Sequence, residues 1–361
     1  MRFAGRNQSR CHSREPLICW HTSAANSWCN YSGPQLIEIV HRGTPLISKP
    51  PPAADPSAQL EFDGAVIAGA QVPIELLGRL NETPDWRRRA AALPALLARD
   101  GYVLLRGALS REAVLVARRE VLLQLAAVGE ICEPVEAAVA SGLSKRAELH
   151  PDLSAFWRTV SESPALRAVS HGLALAEASA AVLGCPTVPF DFLWLRTMAQ
   201  GRSSPLHFDH VYMNRGSQRV ITAWIPLGDL PLRAGPLVVV EGSNRFDALI
   251  ARYRGVDVDR DGLPGSFPMD AIAFARSHQA RLLTSDFRAG DVLLFDMFTL
   301  HGSCDNCLLG GTVRLSCDVR WQAAEDARDE RWFGHPPSGH GGLSYGGLNA
   351  ARPLGEAYLA R

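Results

Sequence analysis

A histidine and an aspartate stand two positions apart in the stretch PLHFDHVYM, which covers residues 205–213. On an extended strand successive side chains alternate between faces, so His207 and Asp209 point to one side while Phe208 and His210 point to the other. An imidazole and a carboxylate on one face, completed by a remote histidine, form the facial triad that holds Fe(II) and leaves coordination positions open. We therefore predict a non-haem iron site at this strand.

The third metal ligand has to come from another part of the chain. His301 follows the strongly apolar segment VLLFDM and a short turn, where a neighbouring barrel strand could bring it beside His207. Taken alone, a histidine of this kind is more often structural than a ligand. The prediction therefore depends on the three residues meeting in the folded chain.

Two other metal patterns are incomplete. A dinuclear metallohydrolase would read His-x-His-x-Asp-His, and Pro205 stands where its first histidine belongs, so we interpret His210 as structural or as a support for a ligand. The segment DVDRDG, from Asp257 to Gly262, imitates the start of a calcium-binding EF-hand loop, but Pro268 occupies its twelfth position instead of a carboxylate. We interpret this segment as a solvated acidic turn.

The cysteines do not form a recognisable framework. Cys304 and Cys307 make a lone CxxC, and zinc would require a second pair or histidines at ligand spacing, with only Cys317 plausibly near. We interpret this pair as a structural thiol loop. The eight cysteines are scattered without regular spacing, which fits a reducing compartment. We therefore expect a cytoplasmic protein.

Composition restricts the partners of the chain. The 37 basic and 37 acidic residues balance, so no overall field attracts a nucleic-acid backbone or an anionic membrane. No apolar run reaches the roughly 18 to 20 residues that a bilayer span needs. We expect no nucleic acid and no membrane association, and the sequence indicates no protein partner. The class of partner that remains is a small-molecule substrate.

The elements that must position these residues divide the chain into a helical part and a β-rich part. Ser110 is placed to cap a helix with one apolar face, formed by Val114, Ala117, Val121 and Leu125. After about Leu183 the sequence changes to β-rich runs: PFDFLWLRTMA, PLHFDHVYM, RVITAWIPLG, GPLVVVEGS, AGDVLLFDM and GTVRLSCDVRW. Helices first and strands afterwards favour a barrel or sandwich flanked by helices, a mainly β protein of the α+β class.

Two segments stand apart from this pattern. A longer insertion at 244–288 contains the helical stretch DAIAFARSH, and insertions of this length on a barrel rim often cover a site. Residues 1–58 lack apolar periodicity and end in the linker-like run SKPPPAADPSAQ. Their arginines recur at helical spacing, so a targeting segment and a mis-started leader both stay open.

Several stretches, in order from about Gly101 to Trp321, resemble the phytanoyl-CoA dioxygenase-like family of Fe(II)- and 2-oxoglutarate-dependent oxygenases. The stretches are GYVLLRGALSREAV, LHFDHVYMNRG, ITAWIPLGDLPLRAGPLVVVEGSNR, AGDVLLFDMFTLHGS and VRLS. The resemblance implies a double-stranded β-helix, which is a cupin-like jelly roll, with iron held by His207, Asp209 and His301. The cofactors that it implies are Fe(II), 2-oxoglutarate as cosubstrate, and O2.

The resemblance also implies a binding site for the cosubstrate. It assigns the far carboxylate of 2-oxoglutarate to Arg314, with Ser316 two positions later on the same face of the strand. A planar guanidinium suits that carboxylate because it donates two parallel, charge-assisted hydrogen bonds. Tyr212 and Trp224 match pocket-lining positions of the family. Arg196 faces either the cosubstrate or a salt bridge at the barrel rim.

Together these features predict one oxygenase domain over residues 59–361 behind the leader. Its parts are a helical segment at 76–183, a β-helix core at about 186–322 and an irregular extension at 323–361. We expect a dioxygenase that hydroxylates a small organic substrate and releases succinate and CO2. The alternative is a cupin-like metal-binding protein or pseudo-oxygenase without turnover. Nothing in the sequence identifies the substrate or a coenzyme A handle.

Overall fold

Two β-sheets are stacked face to face in the computed structural model, which describes residues 64–267, 269–348 and 352–354. The predicted leader at residues 1–58 lies outside the described residues. The strands within the described ranges are β1 (Val66–Ile67), β2 (Ala70–Gln71), β3 (Leu77–Arg79), β4 (Glu82–Thr83), β5 (Tyr102–Leu105), β6 (Thr187–Met198), β7 (Val220–Pro226), β8 (Leu237–Val240), β9 (Leu282–Thr284), β10 (Val292–Asp296), β11 (His301–Ser303) and β12 (Arg314–Ala323).

The α-helices fall into one group before the long strands and one group between β8 and β9. The described helices are α1 (Leu93–Asp100), α2 (Arg111–Ala127), α3 (Arg146–Leu149), α4 (Leu153–Ser161), α5 (Pro164–Ser170), α6 (Leu173–Leu183), α7 (Asp247–Tyr253), α8 (Val258–Asp261) and α9 (Ala271–His278). The second group occupies the predicted insertion at 244–288. None of the described helices combines the length and hydrophobicity that crossing a bilayer would take.

The larger sheet has the strand order β4-β5-β10-β7-β12-β6, and the smaller one has the order β11-β8-β9-β3. The pairs at the centre of both sheets are antiparallel, whereas β4 and β3 join the edges in parallel. From β7 onward the chain crosses repeatedly between the two sheets, because β7, β10 and β12 lie in the larger one and β8, β9 and β11 lie in the smaller one. This crossing forms the double-stranded β-helix that the family resemblance implied.

Apolar clusters on both sides of the sheets give the molecule its layers. A cluster between the sheets joins Trp224 and Phe295 of the larger sheet to Leu237 and Val239 of the smaller one. A second cluster lies between the larger sheet and the first helix group. A third joins the smaller sheet to the insertion helices. Both faces of each sheet are covered, which explains why the strands read as nearly continuous apolar runs.

Strand β12 departs from that apolar pattern on one face. Every second residue is polar and buried, in the series Arg314, Ser316, Asp318, Arg320 and Gln322. The intervening side chains, including Leu315, Cys317 and Val319, belong to the cluster under the helices. Because side chains alternate along a strand, β12 presents a polar row to the space between the sheets.

The predicted helix starts and most predicted strands are confirmed. The Ser110 hydroxyl accepts a hydrogen bond from the backbone N–H of Ala113 at 3.2 Å and caps α2. The four residues predicted for its apolar face are buried. The insertion contains α9 at the predicted DAIAFARSH segment. Five of the six predicted β-rich runs contain a strand of four to twelve residues.

The prediction of a regular strand through PLHFDHVYM is wrong. His207 makes isolated bridges to Ser266 and His301, and a 3₁₀ turn, Asp209–Val211, follows directly. Phe208 keeps an extended backbone, with φ −97° and ψ 134°. The alternation that places His207 and Asp209 on one side therefore holds locally, although the ladder does not continue.

The prediction of a solvated acidic turn at DVDRDG is also wrong in part. Asp257 is buried, caps α8 through the backbone N–H groups of Asp259 and Arg260, and pairs with Arg215 at 2.6 Å. Asp259 pairs with Arg331 of the C-terminal segment. These carboxylates tie the insertion to its neighbours and have cationic partners within the chain.

Candidate metal centre

His207, Asp209 and His301 offer one ligand atom each, and these atoms all lie within 4.8 Å of one another. The Nε2 atom of His207 is 3.6 Å from Oδ1 of Asp209, and that of His301 is 3.9 Å from the same oxygen. Within the described part of the chain, this is the cluster of three such side chains that could hold a metal ion. The structure thus brings together the three residues that the sequence singled out.

Backbone pairing between two remote segments brings the histidines together. The amide of His207 donates to the carbonyl of His301 at 2.9 Å, and the amide of His301 donates back at 3.1 Å. The two rings lie 4.2 Å apart between centroids. His301 begins β11, which pairs with β8 in the smaller sheet, so its position is fixed by that sheet.

Each imidazole is oriented by a carbonyl two residues before it. Nδ1 of His207 lies 2.9 Å from the Pro205 oxygen, and Nδ1 of His301 lies 2.9 Å from the Thr299 oxygen. A carbonyl only accepts hydrogen bonds, so each Nδ1 carries the hydrogen and each Nε2 keeps its lone pair. Both lone pairs are then available to a metal ion.

Burial sets the charge state of the three groups. Desolvation lowers the pKa of His207 to about 3 and also lowers the pKa of His301. Burial alone would raise the pKa of Asp209, but the Arg320 guanidinium and the two histidines outweigh it and hold that pKa well below its usual range. At neutral pH the site therefore contains two neutral imidazoles and one carboxylate, a donor set that fits Fe(II).

Two residues that the sequence analysis missed hold the second oxygen of this carboxylate. Arg320 donates to Oδ2 of Asp209 at 2.8 Å, and the Thr222 hydroxyl donates to the same oxygen at 2.5 Å. The period-2 alternation that groups Arg314 with Ser316 continues to Arg320, so this signal was present in the sequence. The sequence did not show which side chain Arg320 would contact.

The cavity beside the histidines contains three of the four residues predicted to bind the cosubstrate. It is lined by Arg196, Ser204, His207, Trp224, Leu237, Phe295, His301, Gly302, Ser303, Arg314 and Asp318. Ser316 is fully buried next to it, and its hydroxyl accepts a hydrogen bond from Nη1 of Arg314 at 2.7 Å. The cavity therefore joins the two predicted histidine ligands to the predicted carboxylate-binding arginine.

The remaining predicted residues differ in their contacts. Arg196 lines the cavity and also forms the salt bridge that was its alternative, with Nη2 2.6 Å from Oδ2 of Asp318. The Trp224 indole is buried and packs edge-on against Phe287. The Tyr212 ring lies edge-on to His207 with centroids 6.2 Å apart.

His210 faces away from the cluster. Its Nε2 contacts the Arg254 carbonyl at 2.9 Å, and its ring stacks on Phe298. Phe208 also contacts Phe298, so both residues lie on the side opposite His207, as predicted. These contacts agree with the interpretation of His210 as structural, and the metal cluster found among the described residues does not include it.

The described cysteines are free thiols. Cys304 and Cys317 are buried, and burial raises the pKa of the Cys304 thiol to about 12. Cys307 is only partly buried, but desolvation raises the pKa of its thiol as well. Protonated thiols are poor metal ligands, which agrees with the interpretation of Cys304 and Cys307 as structural.

Solved structures similar to the chain include two proteins crystallised with 2-oxoglutarate, EctD and the epimerase SnoN. EctD from S. alaskensis, with 2-oxoglutarate and 5-hydroxyectoine, is 21% identical, and the match covers 77% of this chain and 95% of EctD with a TM-score of 0.45. SnoN, in complex with Fe3+, alpha ketoglutarate and nogalamycin RO, is 20% identical, and the match covers 67% of this chain and 87% of SnoN with a TM-score of 0.43.

Two curated relatives carry the name 1-deoxypentalenic acid 11-beta-hydroxylase. The protein from Streptomyces exfoliatus is 28% identical over 264 residues, which are 66% of this chain and 82% of the relative. The protein from Streptomyces arenae is 27% identical over 258 residues, with the same coverage of 66% and 82%.

The family model described as phytanoyl-CoA dioxygenase (PhyH) matches residues 97–307, more than half of the chain. The match includes the three clustered residues His207, Asp209 and His301, and it ends shortly before Arg314. The extent of this match and the cluster together identify the chain as a member of the phytanoyl-CoA dioxygenase family of Fe(II)- and 2-oxoglutarate-dependent oxygenases.

Proposed function

We propose that the chain hydroxylates a carbon of a small organic molecule, with His207, Asp209 and His301 as the ligands of Fe(II). The observation that carries this proposal is the convergence of their three ligand atoms within 4.8 Å beside a cavity that also contains Arg314. When bound, iron with 2-oxoglutarate and O2 supplies the hydroxylating oxidant, and succinate and CO2 leave as co-products.

The charges of the site suit a dianionic cosubstrate. Two neutral imidazoles and one carboxylate leave a divalent ion with a net positive charge, which favours the near carboxylate and keto oxygen of 2-oxoglutarate. We assign its far carboxylate to the Arg314 guanidinium, with Ser316 fixing one of the guanidinium nitrogens. Both residues are buried, so water competes little for this ion pair.

The other cavity residues complete the pocket in this proposal. Trp224 supplies an apolar wall, and Arg196, held by Asp318, adds a positive charge on the side of the pocket formed by β6. The 28% identity to a hydroxylase of 1-deoxypentalenic acid supports a small organic substrate. That relative's substrate is not assigned to this chain, and the family name does not make a coenzyme A thioester its substrate.

An anaerobic titration tests the binding part of the proposal. Adding Fe(II) and then 2-oxoglutarate to the full chain should produce the weak visible charge-transfer band of the chelate. Asp209→Ala should bind iron weakly and give no band, whereas His210→Gln, altered on the opposite side of the same segment, should give the wild-type band. A wild-type protein without the band would overturn the assignment.

Turnover separates an oxygenase from a binding protein of the same fold. Small organic acids would be screened with Fe(II), 2-oxoglutarate and O2, and succinate formation above the uncoupled background identifies a substrate. The hydroxylated product would then be found by mass spectrometry as a gain of one oxygen atom. A protein that shows the charge-transfer band but never forms succinate would be the pseudo-oxygenase alternative. A cytoplasmic location and the absence of a protein or nucleic-acid partner stay predictions from the sequence.

A further inference from the structure

We propose that Arg320 and Thr222 are positioning residues that reserve one oxygen of Asp209 and leave only the other for the metal. This inference rests on the proposed function, since it takes Asp209 to be a metal ligand. It assigns roles to two residues that do not belong to the three-residue cluster or to the predicted cosubstrate site.

The two oxygens of the Asp209 carboxylate have different contacts. Oδ2 accepts the hydrogen bonds from Arg320 at 2.8 Å and from Thr222 at 2.5 Å. Oδ1 lies 3.6 Å from Nε2 of His207 and 3.9 Å from Nε2 of His301. The carboxylate therefore turns one oxygen to the protein and the other to the imidazole nitrogens.

Both donors come from a single position across two neighbouring strands. Arg320 on β12 and Thr222 on β7 are directly paired in the antiparallel register of the larger sheet. Both residues are buried, with Arg320 1% exposed and Thr222 0% exposed. Thr222 is also paired on its other side with Phe295 of β10, whereas the β12–β6 ladder shifts its register at Arg320. The central position of β7 and β12 in the sheet therefore holds both donors against one carboxylate oxygen.

The guanidinium of Arg320 is itself fixed from other directions. Its central carbon lies 4.0 Å from the ring centre of Trp194, a cation–π contact. Its Nη1 lies 3.6 Å from Oδ2 of Asp318, which also pairs with Arg196. The donor to Asp209 is therefore preorganised before any metal binds.

The division of oxygens has a consequence for coordination. A carboxylate that binds through both oxygens takes two positions on a metal, whereas one that binds through a single oxygen takes one. With Oδ2 occupied by two donors, each of the three residues would supply a single ligand atom, which would leave the remaining positions of the metal ion to 2-oxoglutarate and O2. Positioning residues that orient a ligand typically change metal affinity or activity ten- to a hundredfold.

The test compares metal binding by the folded full-length chain in three variants. Arg320→Gln removes the charge, Arg320→Lys keeps the charge but loses the planar donor, and Thr222→Val removes one hydrogen bond while keeping the shape of the side chain. Arg146→Gln is the matched control, because Arg146 is an equally buried arginine paired with Glu130 at 2.8 Å. Arg146 and Glu130 do not line the cavity.

Co(II) is the probe, since its dissociation constant and its absorption bands report affinity and coordination number without turnover. We expect Arg320→Gln to bind Co(II) at least tenfold more weakly and Thr222→Val to bind it several-fold more weakly. Arg320→Lys should recover part of the loss. Arg146→Gln should lower the melting temperature but keep the Co(II) dissociation constant within twofold. Because both donors serve one oxygen, the effects of Arg320→Gln and Thr222→Val should be non-additive.

Two outcomes would contradict these assignments. Co(II) affinity and absorption bands within twofold of wild type in folded Arg320→Gln and Thr222→Val would overturn the inference while the proposed function stands. If Arg320→Gln does not fold, Co(II) binding by the near-isosteric Thr222→Val and by Arg320→Lys is compared with wild type instead. Wild-type Co(II) affinity in Asp209→Ala would refute the proposed function itself, and this inference with it.

Discussion

Replacing Arg314 by lysine tests the assignment of the cosubstrate site. Arg314 is 2% exposed, lines the cavity beside both histidines, and donates one hydrogen bond from Nη1 to Ser316 at 2.7 Å. Lysine keeps the charge but exchanges a planar, two-pronged donor for a compact ammonium group. Of the two charge-assisted bonds that the guanidinium can offer to a carboxylate, at most one is retained.

The expected loss follows from the energy of one such bond. A hydrogen bond to a charged group contributes about 1.5 to 3 kcal/mol, and about 1.4 kcal/mol corresponds to a tenfold change in affinity. We therefore expect 2-oxoglutarate to bind Arg314→Lys roughly ten- to a hundredfold more weakly. His207, Asp209 and His301 are unchanged in this variant, so the iron site should load as in wild type.

Anaerobic titrations of wild type and variant with Fe(II), and then with 2-oxoglutarate, give both dissociation constants. Arg146→Lys, which alters a buried arginine away from the cavity, controls for a general effect of the substitution on the folded chain. A change in 2-oxoglutarate affinity of less than about twofold, or a parallel loss of iron, would refute the role of Arg314.

Three further predictions concern packing, pH and chain length. In Gly302→Ala the new Cβ would come within 2.7 Å of a backbone oxygen of the adjoining metal-site segment, so we expect a destabilisation of about 1 to 3 kcal/mol in urea unfolding and weaker Co(II) binding. Desolvation lowers the pKa of His171 to about 4 and that of His207 to about 3, whereas it raises the pKa of Asp296 to about 6. The pKa values of His210 and His301 are lowered as well. As the pH falls below about 6.5, the unfolded chain therefore takes up more protons at these histidines than the folded chain does, and the single aspartate opposes this. The metal-free protein should lose stability between pH 7 and pH 5, and urea midpoints that do not fall would contradict this expectation. Deleting residues 1–58 should leave melting temperature and turnover unchanged, and a large loss of either would show that they contribute to the fold.

The local patterns of the sequence were sufficient for the main features of the site. The i, i+2 spacing placed His207 and Asp209 on one side, and the structure keeps that arrangement through an extended Phe208. The same period-2 rule paired Arg314 with Ser316 on β12. Such patterns act over two or three residues and depend only on backbone geometry, so the sequence determines them directly.

The sequence alone did not predict where regular strand pairing ends at the metal site. PLHFDHVYM has the alternation of a strand, but within it only His207 forms β-bridges, and Asp209 enters a 3₁₀ turn. Whether a segment with strand character extends a ladder depends on which backbone lies beside it. That neighbour is remote in sequence, and its position is a property of the whole sheet.

Only the tertiary structure decided how the site is completed. His301 reaches His207 because β11 pairs with β8 and its first residue exchanges backbone hydrogen bonds with the His207 segment. Arg320 and Thr222 meet at one oxygen of Asp209 because the register of β12 against β7 sets them opposite each other. Alternation along a strand determines which side chains face inward, whereas the neighbour and register of that strand are fixed by the packing of two sheets. The sequence therefore determined the chemical groups and the faces they occupy, and the long-range pairing of strands determined which of them meet.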